Sequence, residues 1–184
     1  MKHISVAVIS LISLLFTGSS LAKALTINYY GGISAAARLQ YSQNSFQLAP
    51  GPAVALIVSP GQSYEIESKF HAGSLFGYDL TASFTGRYCF MYKAWRPACG
   101  LQFSCSGGNG IFHRSGPHYS IPPEPEWGLG IELIPARFAS GTITVSFFEC
   151  SIGTELQNPG RVLLLDASLL RLNILFGTIK DTVK

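Results

Sequence analysis

The sequence predicts an all-β fold: a single-domain antiparallel β-sandwich or barrel of about nine short strands, two disulfides and one long loop. Three observations carry this. Short segments alternate apolar and polar residues, most cleanly in Gln62–Phe70 (QSYEIESKF) and Tyr78–Phe84 (YDLTASF). Nineteen glycines and ten prolines punctuate the chain between them. No segment sets a long, unambiguous helical period.

Residues 1–24 stand apart from the fold. Lys2 and His3 precede an apolar run from Ile4 to Phe16, and small residues follow at Ala22 and Ala24. That is the pattern of a secretory signal peptide, cleaved after Ala22 or Ala24. The apolar run is shorter than the ~20 residues a membrane-spanning helix needs. The remainder, 25–184, suffices for one domain with a core. The whole sequence, at 47% hydrophobic and 12% charged residues, is not that of a disordered chain.

Leu25–Tyr30 (LTINYY) reads as a strand ended by Gly31-Gly32. Ile33–Tyr41 fits a helical turn or a hairpin strand. Ala53–Val58 (AVALIV) reads as a strand buried on both faces. In Gln62–Phe70, Tyr64 and Ile66 share one face, while Glu65, Glu67 and Lys69 share the other. The ordinary expectation turns the charged face to water. Tyr92–Ala98 (YKAWRPA) reads as a hairpin tip, since Pro97 suits no central strand. Cys99–Cys105 returns from it. Ser106–Gly128 is then a loop beyond the ~12–15 residues usual in compact domains, and its Ile111, Phe112, Tyr119 and Trp127 predict that it is ordered and packed. Gly130–Ile134 and Gly141–Cys150 follow as strands. Val162–Ile179 (VLLLDASLLRLNILFGTI) fits one or two strands, with a turn at Asp166–Ser168, packed on the domain as core.

Four cysteines in an exported chain predict two disulfides. Three pairings are open; Cys89–Cys99 and Cys105–Cys150 are favoured. Spacings of ten, six and forty-five residues suit no zinc motif.

Arg87–Pro123 holds Arg87, Lys93, Arg96 and Arg114 and no acid, within a net charge of +3 for the whole chain. Arginine forks bind carboxylate, sulfate or phosphate. Tryptophan and tyrosine offer flat apolar faces with polar edges. Trp95, Arg96 and Lys93, with His113, Arg114, His118, Tyr119 and Trp127, therefore predict a basic aromatic patch for an anionic glycan or lipid headgroup. The expected role is adhesin-like or lectin-like recognition by a secreted, periplasmic or cell-surface protein. One alternative is an assembly subunit, with a protein partner or a second copy engaging 162–179. Another is a secreted glycan hydrolase using Glu124 and Glu126. No nucleophile elbow or H-E-x-x-H motif occurs, and no cofactor, metal site or nucleic-acid partner is expected.

Overall fold

The computed structural model describes residues 25–40, 45–75, 77–109, 125–156 and 164–181. Among these the fold is all-β. The strands are β1 (Leu25–Gln40), β2 (Ser45–Ser59), β3 (Tyr64–Leu75), β4 (Gly77–Cys89), β5 (Ala98–Asn109), β6 (Glu126–Ile134), β7 (Ala136–Ser140), β8 (Ile143–Glu155) and β9 (Leu164–Asp181). They form one antiparallel sheet in the order β6-β5-β4-β3-β2-β1-β9-β8-β7. Pairing of β6 with β8, Gly128↔Glu155 to Leu133↔Cys150, closes that sheet on itself.

The result is an eight-stranded barrel, not a two-layered sandwich. The ninth strand, β7, continues the line of β6 beyond Pro135 and pairs with the first half of β8. Proline donates no ladder hydrogen bond, so the break falls there. Opposite it, Phe148 takes a left-handed φ of 55° where the β8 register shifts. The strands are longer than expected: β9 has 18 residues and β1 has 16.

Gly31 and Gly32 do not end β1; they lie inside it. A Cβ on Gly32 would sit 1.7 Å from the Leu172 carbonyl oxygen, and one on Gly31 would sit 2.3 Å from the Phe176 ring. The glycines let β9 approach, so Ile33–Gln40 continues as strand rather than helical turn. Val162–Ile179 becomes part of β9. It runs through Asp166–Ser168 without a turn, bulging where Ser34↔Arg171 gives way to Ala36↔Ser168.

The faces of the wall are reversed from the ordinary pattern. In β3, Glu67 is 1% exposed inside the barrel, while Phe70 is 49% exposed outside. In β2, the small Ala53 and Ala55 point inward and Val54 points outward. In β9, Ser168, Arg171 and Asn173 are buried, while Leu170, Ile174 and Phe176 are exposed. That tract is therefore not core. The buried apolar cluster is small: Cys89, Ala98 and Ile134 at one end of the lumen.

The same alternation overturns both disulfides. All four cysteines are free. Cys89 points inward beside Arg137, while Cys99 pairs in register with outward Tyr88 on the other face. Cys105 lies opposite Trp127, and Cys150 lies opposite Leu133. Six residues of strand separate those two positions, about 20 Å against a Cα limit of ~7 Å for a bridge.

Candidate functional site

The lumen holds much of the chain's charge. Seven of the ten acidic residues face it: Glu65, Glu67, Asp79, Glu132, Glu149, Glu155 and Asp166. So do Arg38, Lys69, Arg87, Arg137 and Arg171. Buried charges persist only when paired and hydrogen-bonded. Here the pairing runs across the barrel in three tiers.

At the end carrying Leu25 and Asp181, Arg137 of β7 donates to Glu65 of β3 at 2.8 and 3.2 Å. The middle tier centres on Glu67. Arg171 of β9 grips it with two bonds, of 2.9 and 3.1 Å, and donates its Nε–H to Asn173 at 3.1 Å. Arg87 Nη2 lies 3.0 Å from the same carboxylate but out of line for a hydrogen bond. Its Nε is 3.4 Å from Glu132 of β6. Arg171 also reaches Glu149 of β8 at 3.5 Å, and Lys69 lies 3.9 Å from that group.

In the third tier, Arg38 of β1 bonds Asp79 of β4 at 2.8 Å, Asp166 of β9 at 2.6 Å and Thr81 at 2.9 Å. His71 Nδ1 lies 3.3 Å from Asp79, and Thr81 donates to Asp79 at 2.7 Å. Between the middle and third tiers is a cavity with about 60 Å³ open to the centre of a water molecule. That admits several waters at ~10–15 Å³ each. His71, Asp79, Gln102, Glu132, Glu149 and Ser151 are among its lining residues. His71 Nε2 and Glu132 Oε2 are buried there without a hydrogen-bond partner.

Outside, the wall is apolar. Away from the strand ends, no outward position in a described strand is charged. Ile131 is 58% exposed, and Val54, Phe84, Leu129 and Ile152 are exposed with it. Aromatic residues cluster toward the end carrying Leu25 and Asp181. Tyr88 packs edge-on against Tyr64 and Phe90, with ring centres 5.2 and 5.1 Å apart. Tyr92 stacks on Trp95 at 5.4 Å.

The expected basic aromatic patch is divided by this topology. The hairpin tip forms as expected: Tyr92 and Trp95 exchange backbone hydrogen bonds across Lys93-Ala94, with Lys93 at φ 56°. Trp95 donates its indole N–H to the Pro135 carbonyl at 3.0 Å, and the Arg96 backbone N–H donates to Arg137 at 2.7 Å. These ties dock the tip on β7 at the end carrying Leu25 and Asp181. Trp127 pairs with Cys105, seven residues further along β5 from Ala98, about 23 Å away. It stacks on Phe103 at 5.5 Å on the outer face. Arg87 belongs to the lumen, not to any surface patch. The long loop is trimmed by β5 and β6. His113, Arg114, His118, Tyr119 and Glu124 lie outside the described residues, as do the Glu126 side chain and the expected signal peptide, 1–24.

No family model matches the sequence. No curated protein matches it significantly. Among solved structures, the chain resembles Neisserial surface protein A, at 9% identity over 83% of this chain and 97% of that one, with a TM-score of 0.51. It also aligns with the N-terminal β-barrel domain of OprF from Pseudomonas aeruginosa, at 10% identity over 84% and 98%, TM-score 0.48. A third is Ail, the attachment invasion locus protein of Yersinia pestis, at 8% identity over 84% and 99%, TM-score 0.40. The first of these likenesses supports the fold: a closed antiparallel β-barrel.

The lumen network was readable only in part. Alternation in Gln62–Phe70 already put Glu65, Glu67 and Lys69 on one face. The missing signal was the number of strands doing the same with Arg38, Arg87, Arg137 and Arg171, against large apolar residues on the opposite face.

Proposed function

We propose that the chain is an outer-membrane barrel exposed at the cell surface, an anchor whose outer rim carries adhesin-like recognition. The observation that carries this is the charge-free, apolar outer wall around an ion-paired lumen. A soluble protein rarely exposes an apolar patch beyond ~300–600 Å². Leaving an Ile or Phe in water forfeits ~1.5–3 kcal/mol each. Lipid removes that cost for every outward residue at once. The closed sheet meets the other demand of a bilayer, since it leaves no unpaired strand edge.

Outer-membrane barrels place short turns in the periplasm and longer connections outside. The end with Leu25, Asp181, 60–63, 90–97 and 141–142 is then periplasmic. The opposite end, where β1 stops at Gln40, β5 at Asn109 and β8 at Glu155, then faces the cell exterior. We assign recognition to the connection that precedes β6 in the sequence, which carries His113, Arg114, His118 and Tyr119. Its ligand is an anionic glycan or lipid headgroup. Lys93 and Trp95 fall at the opposite interface, where exposed basic and aromatic side chains suit inner-leaflet headgroups, while Arg96 keeps its Nε buried.

Two experiments test this. Full-length protein expressed in a Gram-negative host is floated with outer-membrane vesicles; recovery only as soluble periplasmic protein overturns the barrel reading. Vesicles bearing the protein are then titrated with a sulfated polysaccharide at low and moderate salt. Salt-sensitive binding that drops in Arg114→Ala supports the rim. Binding unchanged in that variant overturns it.

A further inference from the structure

We propose that the cavity between the middle and third tiers is a binding site for a small primary ammonium, held by Glu132 and His71. The site depends on the closed lumen alone and is independent of recognition at the rim.

The tautomer of His71 sets the chemistry. Its Nδ1 lies 3.3 Å from Asp79 Oδ2. Arg38 and Thr81 also donate to Asp79, at 2.8 and 2.7 Å, as they would to a carboxylate. A carboxylate only accepts hydrogen bonds, so neutral His71 keeps its proton on Nδ1 and leaves a lone pair at Nε2. That Nε2 is buried without a hydrogen-bond partner, and so is Glu132 Oε2. Both residues line the cavity, at 3% and 2% exposure. Arg87 Nε comes within 3.4 Å of Glu132 Oε2 but out of line for a hydrogen bond. The cavity therefore offers two buried acceptors and no donor for either.

Charge selects the donor. Asp79, Glu132, Glu149 and Asp166 line the cavity, against Arg38 and Lys69. Arg38 is already bonded to Asp79 and Asp166. Lys69 sends one ammonium toward Glu149, at 3.9 Å, which leaves Glu132 and His71 for a second. Water would satisfy the two acceptors but not the negative surplus. An ammonium group answers both, with three N–H donors and a positive charge. A metal ion fits less well: among the described residues, no three His, Cys, Asp or Glu side chains are grouped to hold one. The 60 Å³ of water-sized space suits ammonium or methylammonium and is too tight for a quaternary amine.

The test is equilibrium binding of radiolabelled methylammonium to the full-length protein in detergent micelles at pH 8.5. A heat-sensitive gel shift verifies folding. Wild type should bind saturably, and tetramethylammonium, which has no N–H, should not displace the label. Glu132→Gln keeps the shape and removes the charge; it should weaken binding at least about tenfold, as for loss of a charged hydrogen bond. Nitrogen NMR of histidine-labelled wild type is a second reading. The His71 Nε2 resonance should move as methylammonium is added, and it decides the matter if the variant does not fold. Binding that does not saturate, that tetramethylammonium displaces equally, or that Glu132→Gln leaves unchanged overturns the proposal. So does an unmoved Nε2 resonance, which would leave the cavity to water.

Discussion

The inner and outer faces of the barrel wall are built from the same strands yet obey opposite rules. In β3, Glu65, Glu67 and Lys69 point in, and Phe70 points out. In β9, Arg171 is 1% exposed in the lumen, while Phe176 is 74% exposed outside. The inner face is held by directional, charge-assisted bonds that cross the lumen. The outer face has no such bonds and only apolar surface to offer. Period-two alternation makes both possible, and the surrounding solvent decides which face is inside.

That contrast can be broken most severely from the outside. Arg or Lys on a lipid-facing barrel position costs ~2–4 kcal/mol near the bilayer midplane. Ile131→Arg should therefore prevent most of the protein from folding into lipid vesicles, scored by the heat-sensitive gel shift. Insertion at wild-type yield would remove the membrane from the account.

From the inside, Arg171→Ala strips Glu67 of its two-pronged partner. Loss of one member of a buried pair costs ~3–5 kcal/mol. The urea midpoint in detergent micelles should fall accordingly. A shift no greater than that of an exposed-site control would make the middle tier decorative.

Between the faces, Gly32→Ala places a methyl where the Leu172 carbonyl sits. We expect ~1–3 kcal/mol of destabilisation from overpacking, read from the same urea titration. The smallest effect concerns the cysteines. Reducing agent should leave stability and gel mobility unchanged. In intact vesicles, a lipid-permeant maleimide should reach Cys99, Cys105 and Cys150 well before Cys89, by mass spectrometry of peptides. A disulfide-linked peptide would contradict the register.

The strands themselves were legible. Alternation located β3 and β4, Pro97 marked the Tyr92–Ala98 hairpin tip, and the β-formers of Gly141–Cys150 marked β8. Three things were not. Closure depends on β6 meeting β8, a contact no local pattern announces. The sign of the alternation depends on solvent; with water assumed outside, Glu67 turns outward and Val162–Ile179 becomes core. The cysteines look like a disulfide set when counted, but their placement on strand faces sends Cys89 and Cys99 opposite ways. As for the site, sequence proximity joined Trp95 to Trp127 in one patch, while β5 carries them to opposite ends of the wall.

The most direct test uses the two native tryptophans. Trp95 and Trp127 are 43% and 41% exposed on the outer wall. The protein is reconstituted in vesicles whose acyl chains carry bromine, a contact quencher of indole fluorescence. A barrel embedded by its outer face predicts strong quenching by these lipids and weak quenching by aqueous acrylamide. Strong acrylamide quenching with no effect of brominated lipid would contradict it, and would return the apolar wall to the status of a protein interface.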